Sequence, residues 1–112
     1  MKVTRLSEAS AFTPPGHFDM KALPLQSSGP DGHLTLVRSI FLPGGGTEHT
    51  CPPAAGSAEM IYYVLDGEIT LTTDTQAIFL QAGDSALCGP EDRRSLRNNT
   101  NVPATLLIII GK

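Results

Sequence analysis

The chain has 112 residues, a size at which one domain buries roughly two-thirds of its unfolded surface without metal or disulfide staples. Hydrophobic residues make up 40% and charged residues 17%, a globular balance that is light in charge. Eight Lys and Arg against 11 Asp and Glu give a net charge of −3, which argues against nucleic acid or an anionic membrane as partner. No apolar run approaches the ~20 residues that cross a bilayer. The N-terminus lacks the apolar block of a signal peptide, so a cytoplasmic protein is expected, with Cys51 and Cys88 as free thiols.

Along the chain, the first thirty residues are dominated by turn signals such as Thr13-Pro14-Pro15-Gly16 and Ser28-Gly29-Pro30. Residues 20–25 are expected to add an edge strand. Residues 1–33 therefore read as an extension or edge segment of the same domain, and residues 34–112 as its body. Residues 33–42 read as a strand ended by Pro43-Gly44-Gly45-Gly46. Residues 61–65 are β-branched or aromatic apart from the closing Leu, and Asp66-Gly67 after them is a hairpin signal. Residues 68–72 alternate with the period of two expected of a half-buried strand. Short strands follow at 77–80, 85–88 and 94–98, each closed by Gly, Pro or Asn. Residues 104–110 form a continuous apolar stretch, expected to be buried on both faces. Many short strands with Gly and Pro turns predict an all-β sandwich or small barrel.

Two stretches carry more. One runs Leu42-Pro43-Gly44-Gly45-Gly46-Thr47-Glu48-His49-Thr50-Cys51 and continues through Glu59 to Val64-Leu65-Asp66-Gly67. The other runs from Gly83-Asp84 through Gly89-Pro90 to Arg94-Ser95-Leu96-Arg97-Asn98. Together they resemble the two sequence motifs of the cupin superfamily over about two-thirds of the chain. The resemblance implies a jelly-roll barrel, the double-stranded β-helix, in a single domain and as a homodimer. It also implies a divalent transition metal held by three His and one Glu. Matched position by position, the family's Glu falls on Met60, with Glu59 one residue away on the opposite strand face. The second-motif His falls on Arg94, which has no lone pair to donate. The paired His become His49 and Cys51. No metal is therefore favoured. If one is present, its ligands would be His49 and Cys51, with Glu48 or Glu59.

Other residues have two readings each. Arg94 either holds a carboxylate or phosphate with its planar fork, or pairs with Glu59, Glu91 or Asp92. Tyr62 shares a strand face with Met60 and Val64 and either points its hydroxyl into a cavity or fills core. His17, in a loop-like segment, either covers a barrel mouth or lies on the surface, His33 reads as a surface residue, and Cys88 as a small packed hydrophobe. The leading function is a small-molecule-binding barrel, its ligand possibly acidic, lined by Arg94, Tyr62, Met60 and His49. One alternative is a metal-dependent dioxygenase, isomerase or lyase built on His49 and Cys51. Another is a structural or interaction protein whose barrel is filled by its own side chains.

Overall fold

A computed structural model describes residues 1–30, 32–48 and 59–112. It holds eight strands: β1 (His17–Ser27), β2 (Leu34–Thr47), β3 (Glu59–Asp66), β4 (Glu68–Thr73), β5 (Ala77–Gln81), β6 (Ser85–Cys88), β7 (Arg94–Arg97) and β8 (Ala104–Gly111). A single 3-10 turn at Leu6–Glu8 is the only helical element among the described residues. Among those residues no helix is long and apolar enough to cross a membrane. The strands follow the order β5-β4-β7-β2-β8-β3-β6, with β1 paired to β2, and curl into a nearly closed antiparallel barrel.

Strand alternation sets the inside of the barrel. On β3, Met60, Tyr62 and Val64 are buried, while Glu59, Ile61, Tyr63 and Leu65 are exposed. Tyr62 stands opposite Ile108 on β8, and Ile108 opposite Val37 on β2, so one inward row crosses three strands. Val64, Leu106 and Ser39 make the next row, and Ala22 of β1 extends it. Gly67 follows β3 with φ +80°, and its missing Cβ leaves room for the Pro103 carbonyl, so the expected Asp66-Gly67 turn is present.

Three expectations about strands are corrected. Pro43-Gly44-Gly45-Gly46 does not end the strand; β2 runs on to Thr47. A Cβ at Gly45 would strike the Asp19 carbonyl, and one at Gly46 the Leu96 carbonyl. The glycines let β1 and β7 crowd against β2, so they prolong the pairing that ordinary side chains would block. The second correction is β1, an 11-residue strand rather than the six-residue edge predicted. It pairs with β2 from His17 opposite Thr47 to Ser27 opposite Thr35, with irregularities at Phe18/Met20 and Pro24/Gln26. Asp19 takes a φ of +49° at the first of them. Third, β8 is buried on one face only: Ala104, Leu106 and Ile108 face inward, and Thr105, Leu107 and Ile109 are half-buried on the outside. Its neighbours β2 and β3 flank it edge to edge in the same sheet.

Candidate functional site

The inward residues leave a cavity of about 390 Å³ inside the barrel. Most of its wall is apolar, from Phe12, Met20, Val37, Phe41, Leu96 and Ile108 among others. Arg94, Tyr62, His17, Ser39 and Thr47 supply its polar groups. The described residues thus leave space inside the barrel.

Arg94 is the chemical centre of the wall. It opens β7, whose alternation turns Arg94 and Leu96 inward and leaves Arg97 exposed. Its side chain is 3% exposed. Nε and Nη2 both donate to the Tyr62 hydroxyl, at 3.0 and 2.9 Å. Nη1 donates to the Asp92 backbone carbonyl at 3.0 Å, and Nη2 lies 2.9 Å from Met60 Sδ. The guanidinium carbon sits 5.6 Å from the centre of the Tyr62 ring, within cation–π range. Every one of these partners is uncharged. The ion pairs weighed with Glu59, Glu91 or Asp92 do not form: Asp92 turns its carboxylate to the Gly89 N–H at 2.7 Å, and Glu59 and Glu91 are exposed. Tyr62 combines both of its readings, since its ring is buried in the core and its hydroxyl orients the guanidinium.

Of the two readings of His17, the structure favours the one at the barrel cavity over the surface one. It begins β1, is half-buried, and lines the cavity. Its Nδ1 lies 2.9 Å from the Pro15 carbonyl. A carbonyl only accepts, so Nδ1 donates this hydrogen bond. The sequence placed His17 in a loop because the turn signals around it masked the start of β1. Ser39 and Thr47 also went unmarked. The signal for Ser39 is a polar residue set between Val37 and Phe41 at alternate positions of β2. Thr47 Oγ1 accepts from the Leu96 N–H at 3.0 Å, tying the end of β2 to β7. His33 is exposed just before β2, with Nε2 3.5 Å from Ser28 Oγ.

Residues 39–110 match the family model of the cupin domain. The chain is a cupin. It is 33% identical to a Mycobacterium tuberculosis protein named beta-D-galactosidase Rv1717, over 99% of this chain and 94% of that protein. A Thermotoga maritima structure described as a predicted oxalate decarboxylase shares the fold with a TM-score of 0.77 and 22% identity, covering 97% of each chain. The polyketide cyclase RemF of Streptomyces resistomycificus shares it with a TM-score of 0.77 and 19% identity, over 98% of this cupin and 78% of that chain. At these identities the two structures establish the fold alone.

The fold family implies a divalent metal, and two positions of this cupin do not fit one. Met60 offers a thioether, a poor ligand for harder divalent ions. Arg94 places a positive charge against it, which repels a cation. Among the described residues no three His, Cys, Asp or Glu side chains come together. Glu48 and Glu59 are exposed, and neither lines the cavity. His49 and Cys51 lie outside the described residues.

Cys88 is free and buried opposite Met60 at the end of β6. Burial pushes its thiol above the ordinary value of 9.0, the Arg94 charge pulls it down, and the Asp92 charge adds a smaller upward push. At pH 8 the native thiol is therefore less ionised than in the unfolded chain. In a Cys51→Ser background, iodoacetamide should alkylate Cys88 more slowly in the native protein than in urea, with a pH profile displaced upward. Because the folded pKa is raised, the thiol's stabilising effect is intact below the unfolded value and fades as pH rises through the folded one. A native alkylation rate equal to the unfolded rate at pH 8 would contradict this.

Proposed function

We propose that this cupin binds a small organic anion, a carboxylate, in the barrel cavity, with Arg94 as its counterion. The observation that carries this reading is a guanidinium 3% exposed whose partners among the described residues are all neutral. A buried charge without a countercharge is worth several kcal/mol of instability. A carboxylate entering the cavity supplies that countercharge, and the planar fork suits it through paired hydrogen bonds. The cavity of about 390 Å³ lies within the usual range for small-molecule sites.

Calorimetric titration with phenylacetate and its amide tests the reading. The acid should bind at least roughly tenfold more tightly than the amide, and Arg94→Ala should weaken the acid by roughly 30-fold or more while leaving the amide unchanged. Equal binding of acid and amide, or no binding of either, would count against the proposal.

A second reading is hydrolysis of a β-galactoside, favoured by the name of the 33%-identical relative. Most glycosidases act through a pair of carboxylates flanking the bond. Among the described residues the cavity wall holds none, which is why anion binding leads. Turnover of nitrophenyl β-D-galactoside by wild-type protein would reverse that order. We propose that the protein works in the cytoplasm as a homodimer. The outward row Leu87, Ile61, Ile109 and Leu36 crosses β6, β3, β8 and β2 and supplies an apolar face for a second copy. Sedimentation of Ile61→Lys should then show a shift towards monomer.

A further inference from the structure

Resting on the anion-binding reading, we infer that the ligand is an acid with an apolar body and a second hydrogen-bonding oxygen, received by Ser39. Ser39 is 1% exposed and lines the same cavity as Arg94. It sits on β2 between Ala22 of β1 and Leu106 of β8, both buried and apolar. Pairing with both strands engages its backbone. Its hydroxyl makes no hydrogen bond with any described residue. That is an expensive residue for such a place. An alanine would fit the same strand face without burying an unsatisfied donor and acceptor.

The chemistry of the wall then reads as a sequence of requirements. Arg94 selects an anionic head. Phe41, Leu96 and Ile108 offer only apolar contact to the body. Ser39 donates to an oxo oxygen or accepts from a hydroxyl, and so rewards an oxygen placed away from the carboxylate. The class that meets all three is a hydroxy- or oxo-substituted aromatic or aliphatic monocarboxylic acid. A simple fatty or aryl acid lacks the oxygen, and a neutral sugar lacks the anionic head.

The test titrates wild-type protein, Ser39→Ala and Arg94→Gln with phenylacetate, 3-hydroxyphenylacetate, 4-hydroxyphenylacetate and 4-hydroxyphenylacetamide. In the wild type at least one hydroxylated acid should bind roughly fivefold or more tightly than phenylacetate. Ser39→Ala should erase that gain and leave phenylacetate within about twofold, the size of a neutral hydrogen bond being all that is removed. The same variant, free of ligand, should melt at or above the wild-type temperature, because only an unsatisfied hydroxyl has gone. The inference is overturned if no hydroxylated acid gains over its parent, if the gain survives Ser39→Ala, or if the ligand-free variant melts lower. Those results leave the anion proposal standing when acids still outbind the amide and Arg94→Gln still weakens them. Loss of the acid preference itself overturns both.

Discussion

Asn98→Ala is expected to destabilise the protein by about 3–4 kcal/mol and lower Tm by roughly 15 °C. Asn98 has no solvent exposure. Its Nδ2 donates to the Phe41 carbonyl at 3.0 Å and to the Val102 carbonyl at 2.8 Å. Its Oδ1 accepts from the Thr100 N–H at 2.9 Å and from the Thr100 hydroxyl at 2.7 Å. The backbone adds two more ties, from the Gly44 N–H to the Asn98 carbonyl and from the Asn98 N–H to the Gly45 carbonyl, both 2.8 Å. One side chain thus joins the middle of β2, the end of β7 and the turn leading to β8. Alanine leaves buried groups without partners, and each costs about 1–3 kcal/mol when water cannot reach it. Asn98→Asp keeps the shape but aims a carboxylate at two carbonyls, so it should be nearly as damaging at neutral pH. Thermal unfolding followed by circular dichroism checks both variants. A loss below about 1 kcal/mol for Asn98→Ala would show that the network is not cooperative.

Met60→Glu is expected to weaken carboxylate binding strongly while the barrel stays folded. Met60 Sδ lies 2.9 Å from Arg94 Nη2. A glutamate of similar length at that position reaches the guanidinium and becomes its permanent counterion. The cavity then carries no net positive charge, and an incoming acid meets a carboxylate instead of a free fork. Affinity for phenylacetate should fall roughly 100-fold, or about 2.7 kcal/mol, with little change for the amide. Met60→Leu removes the thioether contact without adding charge and should stay within about threefold of wild type, as volume-conserving apolar exchanges do. This pair separates an anion site from a structural arginine. If Arg94 only braces β3 against β7, Met60→Glu leaves acid binding as it was.

Local sequence was enough for much of this barrel. The alternation in residues 61–65 and the Asp66-Gly67 turn after them depend on a strand period of two and on the left-handed φ that glycine accepts, whereas in β4 the expected alternation fails at Thr70, which is buried beside Ile69 and Leu71. The same counting put Met60 and Tyr62 on one face, and matched Arg94 to the inward position of the second motif. What local pattern could not convey was who stands next to whom. Pro43-Gly44-Gly45-Gly46 looks like a strand end until Asp19 and Leu96 are seen pressing on the glycines from strands far away in the chain. His17 looks like a loop residue until β1 pairs along β2 and carries it to the cavity. Arg94 offered an ion pair or an anion site with equal reason, because acidic neighbours lie close in sequence. Only the folded chain shows the Asp92 carboxylate turned to Gly89 and the guanidinium turned to a tyrosine and a thioether. The physical reason is common to all three. A strand's period reports which side of the sheet a residue occupies, whereas partners and countercharges come from pairings between distant segments, and tertiary packing alone decides those.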